Sequence, residues 1–348
     1  MSFVYVSNAE DGDIGAYALR SDGTLVAQGR TPVGKAVMPL AISPDKRFLF
    51  AAVRSQPYVV HTFAIDAESG ELNPVGTGPL AESLAYISTD KTGRFLLGAS
   101  YGANLVSVNP IATDGRVGEA VQVTPTAPNA HSIRVDNTNR FAYAPHLGTD
   151  QVFQFAFDER TGKLAANRPP FVQMKQRTGP RHLCFSRDNR FVYVLNELTA
   201  TVTTLSLDAS TGLLAELGSA SALAPDSPLV PGMPRGPAAP ARDTSKDIWA
   251  SDLHLTPDGR FLYAAERTGS TLGAFSVDAT NGKLTYIASV ATEKQPRGFA
   301  IDARGKYLVA SGEKSETISS YSIDARSGAL SLLGKAPSGK GSNWVEIV

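Results

Sequence analysis

Short runs of alternating apolar and polar residues recur along the whole chain, each bounded by Gly, Asn, Asp or Pro. Residues 58–65 (YVVHTFAI) are one such run, and runs of this kind read as strands. No window long enough for a helix carries helical periodicity. One phrase organises the strands. Ser43-Pro44-Asp45-Lys46-Arg47-Phe48-Leu49-Phe50 returns as Thr256-Pro257-Asp258-Gly259-Arg260-Phe261-Leu262-Tyr263, and four looser copies end on Phe95, Phe141, Phe191 and Tyr307. The leading aromatics at 48, 95, 141, 191, 261 and 307 are spaced by 47, 46, 50, 70 and 46 residues. All but one of these spacings suit the blade of a propeller.

A second phrase lies between the copies. Asp66…Gly70…Leu72 recurs as Asp158…Gly162…Leu164, Asp208…Gly212…Leu214, Asp278…Gly282…Leu284 and Asp324…Gly328…Leu330. Both phrases have turn chemistry, with Asp or Asn bonding its own backbone and Gly or Asn accepting a positive φ. One repeat is therefore strand, Pro-Asp turn, strand, short loop, strand, Asp-Gly turn, strand. Six copies leave residues 343–348 as a first strand without a second, and residues 3–6 as a second strand without a first. The expected fold is all-β: a seven-bladed β-propeller of four-stranded antiparallel blades, its ring closed by the two termini sharing one blade. Residues 1–348 are expected to form one domain. The 70-residue spacing carries a Pro/Ala/Gly-rich insertion at about 222–246, either a plain surface loop or a lid over the channel.

Composition narrows the function classes. Thirty-three basic residues balance thirty-three acidic ones, so there is no bulk charge for nucleic acid or an anionic membrane. No apolar stretch reaches the ~18 residues of a membrane span. Cys184 is the sole cysteine and reads as an inert buried thiol, which suits a reducing compartment. With no leader-like segment at Met1, the cytoplasm is expected. No phosphate loop, dinucleotide fingerprint or nucleophile elbow occurs, so no cofactor is expected.

Propeller geometry collects candidate chemistry, because residues at the start of each first strand and just after the second crowd one mouth. Ten residues before the leading aromatics stand Met38, Ala85, His131, Arg181, Ser251 and Arg297. Nine before stand Pro39, Tyr86, Ser132, His182, Asp252 and Gly298, and six after stand Arg54, Tyr101, Leu147, Glu197, Arg267 and Glu313. Scaffold positions repeat, whereas these vary and are often charged, as a site needing different groups from different blades requires. Arg54, Arg181, Arg267 and Arg297 suit a carboxylate or phosphate. His131, His182, His254 and Glu197 suit proton transfer. The same charges could instead pair with one another as structural salt bridges. His61 reads as structural and His146 is left open. The histidine spacing lacks a metal-ligand pattern, so no metal is expected.

Taken together, Met38-Pro39-Leu40-Ala41-Ile42-Ser43-Pro44-Asp45, Gly179-Pro180-Arg181-His182, Leu195-Asn196-Glu197-Leu198, Asp252-Leu253-His254 and Gln295-Pro296-Arg297-Gly298 resemble the seven-bladed propeller lactonase family. The likeness covers the chain blade by blade, apart from the insertion. It implies a metal-independent hydrolase of a small anionic sugar-acid lactone, 6-phosphogluconolactone-like or an aldono- or aldarolactone. It also implies His131, Arg181, Glu197 and Arg267 as catalytic residues. Arg54, Tyr101, His182, Asp252, His254 and Arg297 are the expected substrate contacts. Two rivals stand beside this reading: an intramolecular lyase acting on a muconolactone, as a fungal relative does, and a non-catalytic scaffold. A small-molecule lactone is the expected partner, with no nucleic acid or membrane, and a monomer is expected because the ring closes on itself.

Overall fold

The computed structural model describes residues 2–235 and 242–348. Seven four-stranded antiparallel sheets follow one another along the chain. Blade 1 is built from both ends, with strand Ser342–Ile347 pairing to Ser2–Asn8 through Val4–Ile347, Tyr5–Glu346 and Val6–Val345. Blades 2 to 7 span 37–79, 86–125, 134–173, 180–221, 250–291 and 296–337. The first strands of blades 1, 2, 3, 5, 6 and 7 pack against those of adjacent blades, so the first strands surround the axis. Described helices long and apolar enough to cross a membrane number none.

The turn before each second strand is built in two chemical versions. In blade 3 the Asp90 carboxylate accepts the backbone N–H groups of Arg94 and Phe95, and Asp136 and Asp302 repeat this in blades 4 and 7. In blades 2, 5 and 6 a hydroxyl stands there instead. Ser43, Ser186 and Thr256 accept from Phe48, Phe191 and Phe261 and donate to Asp45, Asp188 and Asp258. The loose copies of the repeat therefore make the same bond with different side chains.

The two sequence phrases meet across blade boundaries. Each leading aromatic packs on the glycine of the next blade's Asp-Gly turn: Phe3 on Gly70, Phe48 on Gly115, Phe141 on Gly212, Phe261 on Gly328 and, around the closure, Tyr307 on Gly23. Two residues on, the hydroxyls of Tyr5, Tyr143 and Tyr263 donate to the carbonyls of Gly70, Gly212 and Gly328 at 2.7–2.8 Å. The preceding arginine completes the clamp. Arg140 lies 5.3 Å over the Phe141 ring and donates to the Ala209 carbonyl of the next blade at 2.6 Å.

Gly212 shows why the turn needs glycine: its φ is +71°, and an added Cβ would sit 2.2 Å from the Phe141 ring. Gly212→Ala is expected to lower unfolding free energy by about 2–4 kcal/mol from overpacking plus left-handed strain. Gly218→Ala, in open space, should stay within ~0.5 kcal/mol. Chemical denaturation of the two variants measures both, and equal midpoints would remove this clamp from the account.

Candidate active site

The residues selected by position gather at one mouth of the channel, and the backbone explains how. Ladder pairing is interrupted near the start of four inner strands: between Val37 and Leu40, Pro180 and His182, Ala250 and Leu253, and Pro296 and Phe299. The residues inside these bulges are Met38 and Pro39, Arg181, Ser251 and Asp252, and Arg297 and Gly298. A bulge frees one residue from the ladder and re-aims its side chain. Arg54, Tyr101, Glu197 and Arg267 each lie one residue beyond their second strands, Phe48–Val53, Phe95–Ser100, Phe191–Asn196 and Phe261–Glu266.

These elements enclose a cavity of about 140 Å³ lined by six of the predicted residues: Arg54, Tyr101, His131, Glu197, Arg267 and Arg297. Ala85, Arg235 and Trp249 complete its wall. Glu197 is the hub. Its Oε2 accepts Nε of Arg181 at 2.8 Å and Nη2 of Arg267 at 3.1 Å. Both guanidinium groups are sealed from solvent, Arg181 at 0% and Arg267 at 1% exposure. Arg267 also donates to the carbonyls of Trp249 and Ala250, and its guanidinium lies 3.5 Å from the Trp249 ring centre. Burial lowers the Arg181 pKa to about 10 and pulls that of Arg267 well down, yet both remain cations at neutral pH.

Arg181, His182, Asp252 and His254 do not line the cavity; they form a relay behind it. Arg181 Nη1 donates to His182 Nε2 at 3.0 Å, so the His182 proton is on Nδ1, which donates to Asp252 Oδ1 at 2.9 Å. His254 Nε2 donates to the other Asp252 oxygen at 3.1 Å. This wiring requires neutral His182, in keeping with burial and then the Arg181 charge lowering its pKa to about 3. Burial raises the Asp252 carboxyl, but attraction and bonds to His254 and His182 outweigh it and hold the group below the carboxylate range. These residues position Arg181.

His131 has a different environment. It packs edge-on against Tyr101 and His182, with ring centres 5.5 and 5.3 Å away. Its Nδ1 is buried without a partner, and neither ring nitrogen bonds a described residue. Burial, reinforced by Arg181, His182 and Arg297, holds it well below the ordinary histidine value. The Nη2 of Arg181 and Nε of Arg297 are buried and unpartnered too. Buried polar atoms rarely lack partners, and these three in one cluster leave hydrogen-bonding capacity that water or a ligand can meet.

The remaining histidines are elsewhere. His146 is fully buried, bonds its Nδ1 to the Ala144 carbonyl and packs at a tilt against Phe153, while His61, on a third strand, meets Thr77. Cys184 is buried, and burial raises its thiol to about 12. No group of three or more His, Cys, Asp or Glu among the described residues could hold a metal ion. Positional reasoning missed Trp249, one residue before the inner strand of blade 6, and Arg235, inside the insertion. Trp249 had a faint signal as one of two tryptophans, two residues before the Ser251 slot. Arg235 had none beyond the insertion's length, and residues 236–241 of that insertion lie outside the described chain.

The chain is similar to known proteins along its length. The family described as "Lactonase, 7-bladed beta-propeller" matches residues 3–347. A 6-phosphogluconolactonase of Pectobacterium carotovorum is 38% identical over 299 residues, covering 86% of this chain and 84% of that protein. Another, from Serratia proteamaculans, is 35% identical over 345 residues, covering 99% and 98%. The solved structure of the Pseudomonas aeruginosa periplasmic gluconolactonase superposes with a TM-score of 0.86 at 26% identity, covering 100% of this chain and 99% of the other. A propeller matched from its first strand to its last, with a charged mouth assembled at its bulges, belongs to the seven-bladed β-propeller lactonase family.

Proposed function

We propose that this protein hydrolyses a small anionic sugar-acid lactone in the cavity bounded by His131, Glu197 and Arg267, and that it works as a cytoplasmic monomer. The observation that carries the reading is the pairing of a neutral, unpartnered histidine with a carboxylate that two buried arginines hold on one oxygen. Oε1 of Glu197 makes no bond to a described residue and orients water, while Oε2 keeps Arg181 and Arg267 in place. His131, in its base form, takes a proton from that water as oxygen attacks the lactone carbonyl carbon. Arg267 balances the charge that develops on the carbonyl oxygen. The tetrahedral adduct collapses by breaking the bond to the ring oxygen, which receives the proton from His131. The product is the open-chain sugar acid, and the histidine returns to its starting state.

Initial rates of acid release from 6-phosphoglucono-δ-lactone, unphosphorylated sugar lactones, aldarolactones and muconolactones, with and without chelator, test the class. Chelator-resistant hydrolysis of a sugar lactone is expected. Turnover of muconolactones alone would replace the hydrolase with a lyase, and silence throughout would leave a scaffold. Light scattering checks the monomer, and cell fractionation checks the compartment, with a periplasmic pool overturning the assignment.

Glu197→Gln keeps the shape and an acceptor but removes the charge. Turnover should fall roughly 100- to 1,000-fold, with an unchanged circular dichroism spectrum. Near-wild-type rates would exclude Glu197 from the mechanism.

The His131 environment sets the pH dependence. Its pKa is depressed, so the base form is present above that pKa and is lost as pH falls through it. After correction for spontaneous hydrolysis, kcat/KM should be flat at neutral pH and fall only below the ordinary histidine value of 6.5. His131→Gln should cost roughly 100-fold or more and abolish that acid limb. An acid limb that survives the substitution would assign the base elsewhere.

A further inference from the structure

The insertion before blade 6 is anchored to the propeller body. Val230 N–H donates to the Lys246 carbonyl and Ile248 N–H donates back to Val230, each at 2.9 Å. Gly232 N–H donates to the Leu198 carbonyl at 2.8 Å, one residue after Glu197. At Gly232 the arm presses so close that an added Cβ would lie 2.3 Å from the Ile248 carbonyl oxygen. Asp247, buried at the base of the arm, is ion-paired to Arg242. Leu223 and Leu229 pack on the core between blades 5 and 6. This part of the insertion is a pinned arm.

The arm reaches the cavity at Arg235. The Tyr101 hydroxyl, from the far side of the mouth, donates to the Arg235 carbonyl at 3.2 Å. The Arg235 guanidinium lies 4.0 Å from the centre of the Trp249 ring, the same ring that Arg267 approaches at 3.5 Å. Two guanidinium groups thus share one indole, an arrangement that stacking favours and mutual repulsion opposes.

The mouth holds more cations than carboxylates. Glu197 is already bound by Arg181 and Arg267, and Glu313 faces Arg297 at 3.6 Å. Arg54 bonds only Ser83 and the Met38 sulfur, and neither Arg54 nor Arg235 has a carboxylate partner among the described residues. Burial, followed by repulsion from Arg297, lowers the Arg54 pKa to about 10, with attraction to Glu313 offsetting part of the shift. The mouth therefore sets five arginines against two carboxylates, Glu197 and Glu313, and this cationic excess, with Arg54 and Arg235 the two that have no carboxylate partner among the described residues, suits the charge of a phosphate monoester.

The geometry points to Arg235 as a specificity-determining residue that, with Arg54, binds a phosphate carried by the lactone substrate away from its reacting carbonyl. The inference rests on the lactonase reading of the cavity and adds to it the arm as the part that selects a phosphorylated lactone. Arg267 is engaged by Glu197 and the backbone, so it serves the reacting carbonyl. Among the described residues Arg235 is held by stacking and by its own carbonyl alone, which leaves its N–H donors for a ligand.

The experiment compares wild type, Arg235→Ala and Arg235→Lys on 6-phosphoglucono-δ-lactone and on glucono-δ-lactone. For the alanine variant kcat/KM should drop roughly 10- to 100-fold on the phosphorylated lactone, mainly through KM. The drop on glucono-δ-lactone should be at least tenfold smaller. Arg235→Lys, which keeps the charge without the planar fork, should fall between the two. Equal losses on both lactones would mark a structural role, and no loss on either would leave the arm without one; each overturns the inference. Calorimetric titration with 6-phosphogluconate and gluconate separates this from the hydrolase reading. Tighter binding of 6-phosphogluconate, lost in Arg235→Ala, supports the phosphate site even if neither lactone is hydrolysed. Equal binding of the two acids by wild type overturns it.

Discussion

The structure depends on one contact repeated around the ring: an aromatic side chain of one blade seated on the turn glycine of the next. Phe141 on Gly212 and Phe261 on Gly328 are representative, with Tyr143 and Tyr263 bonding the same glycines' carbonyls. The contact couples the second strand of one blade to the outer turn of its neighbour, so the angle between blades is set by side-chain packing. Where the pattern slips, it is patched. In blade 5 the Tyr193 hydroxyl has no partner, and Thr204 donates to the Gly282 carbonyl in its place. The ring closes by the same contact, between Tyr307 and Gly23, and by the terminal strand pairing of blade 1.

Because those outer contacts hold the blades, the inner strand starts are free to break register. The bulges that carry Arg181, Asp252 and Arg297 give up ladder bonds and place charged groups where hydrophobic packing would otherwise be favoured. Burying Arg181 and Arg267 costs several kcal/mol of desolvation each, offset only in part by the shared Glu197. A cluster with buried cations and unpartnered polar atoms is poor stabilisation and good preorganisation. Its supporting relay, His182 to Asp252 to His254, keeps Arg181 from rotating away from Glu197 without itself reaching the cavity.

The insertion changes what that preorganised cavity presents to a substrate. Its described part contributes a single cation to the wall, on a backbone fastened beside Glu197 and under Tyr101. The proposed catalytic cluster comes from the inner strands and the residues just beyond the second strands, whereas Arg235 comes from a segment outside the blade repeat. A shared reaction with a varied rim is the expected result of such a division.

The repeat phrases alone determined the architecture, because a turn that needs Asp, Gly and an aromatic at set offsets leaves its mark in local order. Blade number, the shared terminal blade and the position of the mouth followed from spacing, and so did Arg54, Tyr101, His131, Glu197, Arg267 and Arg297 as its wall. Spacing could not separate wall from support. Arg181, His182, Asp252 and His254 occupy the same inner strands, and only the bulges and burial show that they stand behind the cavity. Nor could spacing find Arg235, since the insertion has no period and its path depends on backbone bonds to Leu198 and Lys246, far off in sequence or irregular in form. Periodic contacts can be read from a chain because each repeats. A charge balance or a crossing arm exists only once distant segments share one volume, and that was decided by the tertiary structure.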